Sequence, residues 1–283
     1  MPDLAALLAD LDAESGDLDA RVGPLPDAHW TRLTPADGWT IAHQVAHLAW
    51  TDHVALLAAT DPAAFHASVA SAAGDPFRFV DRGTESFLCP PAELLQRWRA
   101  GRAALAEALA ATPPGVKLPW YGTAMSPASM ATARIMETWA HGQDIADTLG
   151  HRRTPTDRLR HIAYLGVRTL GHSFMTHGRD IPAAPVRVEL IGPSGPGAGA
   201  VRSEERGGEP GTSRQSIWEF GPSDATDRVV GPALDFCLLV TQRRHRADLA
   251  LVATGPVADE WLDIAQAFAG PPGAGREPSG ARS

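Results

Sequence analysis

Two short segments contain the residues that are best suited to chemistry. One is HQVAHLAW, which carries His47, and the other is METWAHGQD, which carries Glu137 and His141. Glu137 and His141 are four residues apart, so on a helix their side chains lie one above the other on the same face. His47 lies in a separate apolar stretch that is typical of a helix. Two imidazoles and one carboxylate suit a catalytic divalent metal that keeps one coordination position open.

Each of these three residues also has an ordinary structural interpretation. His47 would be a core histidine bonded to a backbone carbonyl, and Glu137 would pair with Arg134. In favour of the metal, a single shared cation would satisfy a carboxylate and two imidazoles that are otherwise costly to bury in an apolar bundle. Because ExxxH spacing is common on helices, spacing alone leaves both interpretations open.

Two further polar residues flank the candidate ligands. His43 lies four residues before His47, and Asp144 lies three residues after His141. We assign both as candidate catalytic residues that would move protons. The alternatives for His43 are a donor to the site from one side, an exposed residue, or a ligand in its own right. Asp144 either orients an imidazole through the second ring nitrogen or makes a cap or pair at the surface.

Apolar periodicity and capping residues predict that residues 1–181 form a helical domain, a four-helix bundle with extra helices. The predicted helices begin near Leu4, Thr40, Pro62, Pro91, Pro127 and Asp157. The helix that bears Glu137 is expected to end at Gly150, and Pro127 suits its first turn because a proline lacks the N–H that is unpaired there. In the loop before this helix, Trp120 and Tyr121 either line the mouth of a cofactor site or anchor the loop by packing.

The pattern changes to a small α+β domain over residues 182–270. Alternation predicts strands at 186–191, 216–220, 227–230 and 249–253, with helices from Gly231-Pro232 and over 257–268. The segment 192–214 is rich in Gly, Pro, Ser and charge, which predicts a flexible loop. Residues 271–283 are predicted to be a disordered tail. The expected fold class is therefore a helical bundle followed by a small α+β domain.

Composition narrows the class of partner. The chain has 283 residues, 44% of them apolar, and a formal charge of −8 without a basic face, which argues against nucleic acid or an anionic membrane. The acidic N-terminus is unlike a secretory signal, and no apolar run approaches the ~20 residues that span a bilayer. Cys89 and Cys237 are isolated, which fits a reduced, cytoplasmic compartment and argues against either as nucleophile or ligand. We expect a monomer or homodimer that acts on small molecules.

The two ligand segments resemble those of a known family. GWTIAHQVAHLAW is similar to the segment of DinB-like helical metalloproteins in which the histidine eight residues after Trp binds metal, and that count from Trp39 reaches His47. RIMETWAHGQD resembles the R-x-x-E-x-x-x-H-x-x-D segment of the mycothiol-dependent maleylpyruvate isomerase branch. The resemblance implies that Glu137 and His141 complete a zinc site with His47. It also implies a small second domain that is similar to sterol-carrier proteins.

The resemblance also implies a reaction. Mycothiol, a low-molecular-weight thiol, would be the cosubstrate and nucleophile, and Arg134 joins Trp120 and Tyr121 as a candidate for binding it. The expected activity is cis–trans isomerisation of a maleylpyruvate-like unsaturated acid. The alternatives are a mycothiol S-transferase and a non-catalytic, metal-stabilised protein that binds a hydrophobic ligand. Zinc is expected by ligand type, although nickel, cobalt, iron and manganese also suit two His and one Glu.

The first prediction concerns the metal itself. Elemental analysis of the purified protein is expected to find one divalent metal per chain, and none after His47→Ala, because a pair of remaining ligands binds too weakly. A His47→Ala protein that keeps its metal would move the site elsewhere, for example to His43 and His53.

Overall fold

The computed structural model describes residues 3–72, 78–193, 216–273 and 275–280. The described residues form ten α-helices, two short 3-10 helices and four β-strands, and the chain divides into two units, Met1–Arg153 and Thr154–Ser283. The helices of the first unit are α1 (Leu4–Val22), α2 (Ile41–Thr60), α3 (Pro62–Ala72), α4 (Phe79–Glu85), α5 (Pro91–Ala111) and α6 (Pro127–Leu149). None of the described helices is both long enough and apolar enough to cross a membrane.

Helices α1, α2, α5 and α6 form a four-helix bundle, in which α2 packs on α5 and α6, and α1 packs on α6. Leucines of α1 at positions 7, 11 and 18 are buried, as expected for an amphipathic helix that packs into a bundle. The ion pair of Arg153 with Glu14 and the pairs of Arg99 and Arg102 with Asp19 add polar links along α1. The helical bundle that the sequence predicted is therefore confirmed.

The two helices that carry the candidate ligands are capped at their N-termini. Thr40 caps α2 and accepts a hydrogen bond from the backbone N–H of His43, and the His43 ring accepts one in return from the Thr40 N–H. Ser126 caps α6, followed by Pro127 in the first turn, and Gly150 ends the helix with φ +69°. These caps fix where each helix starts and therefore which face its histidine occupies.

The short helix α4 packs against α2 through a glycine. A Cβ at Gly83 would lie 2.2 Å from Cε2 of Trp50, so only a glycine permits this approach. The residue that follows, Thr84, is buried and reaches the His47 ring. The sequence analysis did not predict α4.

The second unit contains a four-stranded mixed sheet. Its elements are α7 (Leu159–Arg168), α8 (Leu170–Thr176), β1 (Val186–Ile191), β2 (Ile217–Phe220), β3 (Asp227–Pro232), α9 (Ala233–Val240), β4 (Val252–Thr254) and α10 (Pro256–Ile264). The strand order is β2-β1-β3-β4, with β1 and β3 parallel and the outer pairs antiparallel. Phe236 on α9 packs edge-on against Trp261 on α10, and both rings are buried. The first three predicted strands and the helix after Pro232 are confirmed, whereas the fourth strand is shorter and later than its predicted range of 249–253, and the last helix ends at Ile264 rather than at 268.

The division between the units differs from the predicted boundary at residue 181. Helices α7 and α8 belong to the second unit because α7 packs on α9 and α8 packs on α10. At the α7–α9 contact, Gly166 lies against Val240, where a Cβ would approach to 2.9 Å. The predicted single helix from Asp157 to about His177 is in fact two helices, interrupted at Thr169 with φ −95° and ψ 9°.

Two predictions concern segments that are described in part or not at all. Most of the predicted flexible loop, residues 194–215, lies outside the described residues. In the predicted tail, residues 275–280 are described, and Ser279 donates hydrogen bonds to the carboxylate of Asp248. Disorder of the tail stays a prediction.

The contact between α4 and α2 generates a stability prediction. Gly83→Ala is expected to destabilise the fold by about 1–3 kcal/mol, because the new methyl group overlaps the Trp50 ring. The matched control is Gly101→Ala on α5, where a Cβ meets nothing within 4 Å and helix propensity adds about 0.5–1 kcal/mol. Urea unfolding of both variants checks this, and equal midpoints would contradict the close packing.

Candidate metal centre

His47, Glu137 and His141 meet between α2 and α6. Each offers one ligand atom, and these three atoms lie within 4.8 Å of one another; among the described residues this is the one His/Cys/Asp/Glu group so arranged. The ring centroids of His47 and His141 are 4.4 Å apart. Their side chains are 10% and 12% exposed, and that of Glu137 is 20% exposed. The group is therefore shielded by protein but still open to a small ligand.

The distances from the two imidazoles to Glu137 suit shared coordination of a metal and are long for direct hydrogen bonds. The Nε2 atoms of His47 and His141 lie 3.4 Å and 3.2 Å from the same Glu137 oxygen, Oε2. Charge-assisted N–H···O bonds are typically about 2.7–2.9 Å. Ligand atoms around a tetrahedral zinc, each about 2.0–2.1 Å from the ion, are separated by about 3.3–3.4 Å. The three side chains therefore fit a divalent cation.

The orientation of the His141 ring is fixed by Gln44. The Gln44 amide N–H donates to Thr34 Oγ1 at 2.8 Å, so its carbonyl oxygen faces His141 and accepts from Nδ1–H in a short contact. Nδ1 then carries a proton, and Nε2, which faces the Glu137 carboxylate, presents a lone pair to it. Two lone pairs face each other stably only with a proton or a metal cation between them. This arrangement of a ligand histidine and its outer hydrogen bond is typical of metal sites.

The His47 ring is held on its other side by Thr84 and by tryptophans. Its Nδ1 lies 3.4 Å from Thr84 Oγ1 on α4. The Trp39 ring lies 5.3 Å from the His47 ring and stacks on His141 at 6.0 Å, and Trp50 lies 5.8 Å from His47. These indoles exclude water from two sides of the cluster.

The carboxyl group of Glu137 is ionised at neutral pH. Burial raises its pKa, but hydrogen bonds and charge interactions with His141 and His47 outweigh burial and leave the pKa well below its ordinary value. An ionised carboxylate beside two imidazole nitrogens is the charge state that metal binding requires.

Arg134 lies one turn before Glu137 on α6 but points to a different partner. Its Nε donates to Asp52 Oδ1 at 2.9 Å, and its NH2 donates to Thr51 Oγ1 at 2.6 Å. Both Arg134 and Asp52 are buried, so this ion pair joins α6 to α2 beside the metal site. The pairing of Glu137 with Arg134, considered from the sequence, does not occur. Binding of a cosubstrate by Arg134 stays a prediction that this ion pair does not favour.

The two candidate catalytic residues lie near the cluster without joining it. His43 uses Nδ1 in the capping contacts with Thr40, and its ring is 6.3 Å from that of Trp39. Asp144 is buried on α6. Gln44 contacts Nδ1 of His141, and Thr84 contacts Nδ1 of His47. Catalytic roles for His43 and Asp144 stay predictions.

Trp120 and Tyr121 belong to an aromatic cluster at one end of the bundle. Their rings lie 6.0 Å and 5.6 Å from that of Phe65, and Tyr121 also contacts Phe79. Burial raises the pKa of Tyr121 to about 12. Among the described ring contacts, Phe79 and Trp50 connect this cluster to His47. Both residues therefore pack within the loop, and a role for them in binding a cofactor stays a prediction.

Gln44 and Thr84 are the residues that sequence reasoning missed. Gln44 lies in the HQVAH segment, but its partner is 97 residues away along the chain. Thr84 lies 37 residues from His47, on a helix with a weak sequence signal. For Gln44, the signal available in the sequence was its position on the same helix face as the candidate ligand His47.

Comparison with protein families places the metal site within a recognised domain. A family model described as the mycothiol maleylpyruvate isomerase N-terminal domain matches residues 11–146, a range that includes all three candidate ligands. A second family model, described as wyosine base formation, matches residues 211–254 in the second unit.

The chain is also similar to curated relatives and to solved structures. Two proteins described as uncharacterised, from two strains of Mycobacterium tuberculosis, are each 53% identical over 277 residues, which covers 98% of this chain and 100% of theirs. The crystal structures of the mycothiol-dependent maleylpyruvate isomerase and of a histidine-to-alanine mutant both match with TM-score 0.54. They are 15% and 14% identical and cover 89% of this chain and 92% of those chains, which shows a shared fold.

The hydrogen bond from His141 to Gln44 generates a prediction about metal affinity. Gln44→Leu is expected to weaken zinc binding about 10–100-fold, because the His141 ring loses the group that fixes its orientation. Competition with a chromophoric chelator measures the affinity. The control is Gln143→Leu on α6, whose amide bonds Asp147 instead. Equal zinc affinities for the two variants would refute the role of Gln44.

Proposed function

The chain belongs to the mycothiol maleylpyruvate isomerase N-terminal domain family, and from that premise we propose that it is a metal-dependent enzyme whose nucleophile is mycothiol. The observation that carries the proposal is the convergence of His47 Nε2 and His141 Nε2 on one Glu137 oxygen at ligand spacing. Three protein ligands leave the position that a thiol cosubstrate needs.

A divalent cation at this site, zinc by ligand type, supplies Lewis acidity that favours the thiolate form of the cosubstrate. The protein contributes the anionic carboxylate of Glu137 and two imidazoles whose rings are already oriented. Gln44 and Thr84 maintain that orientation, and the indoles of Trp39 and Trp50 limit access by water.

An external thiol is consistent with the state of the protein's own cysteines. Burial raises the pKa of Cys89, with a further contribution from the charge of Glu93, and burial raises the pKa of Cys237 far above its ordinary value. Neither thiol is activated for nucleophilic attack at neutral pH. Sulfur chemistry at this site therefore depends on a sulfur that is not part of the chain.

The proposed reaction is cis–trans isomerisation of a maleylpyruvate-like unsaturated acid. The thiolate electron pair forms a C–S bond to one carbon of the double bond, and the π pair moves onto the conjugated carbonyl as an enolate. Rotation about the new single bond follows. The enolate then re-forms the double bond and expels the thiolate, so the thiol is recovered unchanged.

A second candidate is S-transfer, in which the C–S bond is retained and the enolate takes up a proton. His43 or Asp144 would supply that proton. The observation that favours transfer is that Arg134, the guanidinium nearest to Glu137 in sequence, is engaged by Asp52 and Thr51. Arg134 is therefore not available to bind the carboxylates of an unsaturated diacid. This engagement of Arg134 suits an uncharged electrophile better than a diacid.

The recovery of the thiol separates the two reactions. Zinc-loaded protein is incubated with mycothiol and maleylpyruvate, and the product isomer and free thiol are measured by chromatography. Isomerisation is expected to leave the thiol concentration unchanged over many turnovers. Loss of thiol in proportion to product would assign S-transfer instead, and no reaction with either maleylpyruvate or uncharged electrophiles would refute the proposal.

Substitution of Glu137 links turnover to the site. Glu137→Gln is expected to reduce turnover by more than about 100-fold, because the substitution removes the anionic carboxylate from the proposed metal ligands. The loss is expected to be larger than that caused by substituting a residue that only hydrogen-bonds a metal ligand. The melting temperature is expected to stay close to that of the native protein, with Glu107→Gln, on the exposed face of α5, as the control. A large fall in melting temperature without any detectable activity in the native protein would indicate a structural metal.

A further inference from the structure

A cleft of about 260 Å³ lies in the second unit. Its lining residues all belong to that unit, and the candidate metal ligands are not among them. The end of α9 with the loop after it, the end of α10 and the C-terminal segment supply most of the lining. The proposed function assigns this cleft no role.

The charged groups that line the cleft are mostly basic. Arg244, Arg246 and Arg276 contribute guanidinium groups, and among the described residues of the lining Asp263 contributes the one carboxylate. That carboxylate accepts a hydrogen bond from Arg246 at 2.8 Å, and Arg246 also pairs with Asp259. The excess positive charge therefore comes from the other two arginines, in a chain whose formal charge is −8. Such a cleft attracts anions.

Another part of the lining is apolar. Leu239 of α9, Leu262 of α10 and Ala265 line the cleft, and all three are buried. Charge interactions are stronger beside such a low-dielectric wall than in open water. A ligand that joins an anionic group to a short carbon chain therefore suits both parts of the lining.

The wall of the cleft contains an unfavourable backbone conformation. Gln242 lines the cleft and has φ +58°, and among the described residues it is the one non-glycine with a positive φ. Such positions persist where the surrounding structure imposes them, and they are concentrated at ligand sites. At Gln242 the chain turns away from α9, and Arg244 and His245 follow within three residues. The backbone observation is independent of the charges and points to the same place.

Two histidines add a donor and an acceptor to the lining. His245 Nδ1 accepts the backbone N–H of Ala247 at 3.0 Å, so the neutral ring carries its hydrogen on Nε2. His177 has the opposite tautomer, because its Nδ1 donates to the carbonyl oxygen of Ser173 at 2.9 Å and Nε2 keeps a lone pair. Arginines match the oxygens of a phosphate group, and the His177 lone pair matches a hydroxyl.

The C-terminal side of the cleft is held by hydrogen bonds on both sides of Arg276. The Gln266 amide donates to two carbonyl oxygens of the segment that follows it. Beyond Arg276, the backbone N–H and hydroxyl of Ser279 donate to the carboxylate of Asp248. The guanidinium of Arg276 is thus attached to a segment with two fixed points.

We propose that this cleft binds a small phosphate ester. Its phosphate group is bound by Arg244 and Arg276, and its hydroxylated carbon chain lies against Leu239 and Leu262. The volume is slightly below the ~300–1,000 Å³ of typical ligand pockets, so the carbon chain is short. This binding site is separate from the proposed thiol chemistry and does not rest on it.

The test uses glycerol 3-phosphate as the probe, with succinate and glycerol as comparison ligands. Binding is measured by isothermal titration calorimetry at constant low ionic strength. The native protein is expected to bind one glycerol 3-phosphate per chain and to bind succinate at least about tenfold more weakly, because arginine binds phosphate in a charge-assisted, often bidentate geometry and carboxylates cannot donate to His177. Glycerol, which lacks the anionic group, is expected to show no binding.

Two variants locate the site. Arg276→Gln is expected to weaken binding of glycerol 3-phosphate about tenfold, and Arg244→Gln with Arg276→Gln about 100-fold, because each removes a hydrogen bond to a charged group. Arg276 lies outside the helices and strands, so the single variant keeps the test valid if the double variant fails to fold.

The controls separate this site from general charge effects and from the metal centre. Arg152→Gln with Arg168→Gln removes the same charge from two exposed arginines and is expected to keep the native affinity. His47→Ala is also expected to keep it, whereas phosphate bound at a metal would be lost. The proposal is overturned if glycerol 3-phosphate does not bind, if succinate binds equally well, if both arginine double variants weaken binding alike, or if binding depends on His47.

Discussion

A largely buried carboxylate that faces two imidazole nitrogens is the contact on which the candidate site of the first unit depends. Burial alone would favour the neutral form of Glu137, and the neighbouring histidines reverse that preference. The reversal requires that His47 on α2 and His141 on α6 stay on the same side of the carboxylate. The arrangement of these three side chains is therefore held by electrostatics as well as by packing, and further polar contacts join α2 and α6 beside them.

Further polar contacts lie around the cluster. The buried pair of Arg134 and Asp52 joins α6 to α2 about one turn from Glu137. Gln44 connects the His141 ring to Thr34, in the loop that also carries Trp39. Since removing one partner of a buried ion pair costs about 3–5 kcal/mol, α2 and α6 are not free to slide past each other.

What the sequence could predict follows from the range of each interaction. The Glu137 and His141 pair is local, because its spacing of four residues determines a shared helix face. The meeting with His47 needed the apolar pattern of two helices and a family resemblance. The contacts of Gln44 and Thr84 could not be predicted, because their partners lie on other elements and the apolar pattern of a helix does not determine the angle at which it crosses another helix.

The same limit explains why the division between the two units was predicted at residue 181. The apolar faces of α7 and α8 required a partner, and periodicity could not identify α9 and α10 as that partner. Helix α4 was not predicted because it is short and contains Gly83, and glycine has a low helix propensity. The glycine is needed because of the close approach of the Trp50 ring, which the sequence does not reveal.

The raised pKa values of Cys89 and Cys237 have a consequence for how the molecule meets oxidative stress. Peroxides attack thiolates, and a chain whose two sulfhydryls stay protonated offers them little to oxidise. Under the proposed function, the vulnerable sulfur belongs to a diffusible small molecule that other enzymes can reduce again. Catalytic output would then fall and recover with the ratio of reduced to oxidised thiol in its surroundings, without damage to the polypeptide.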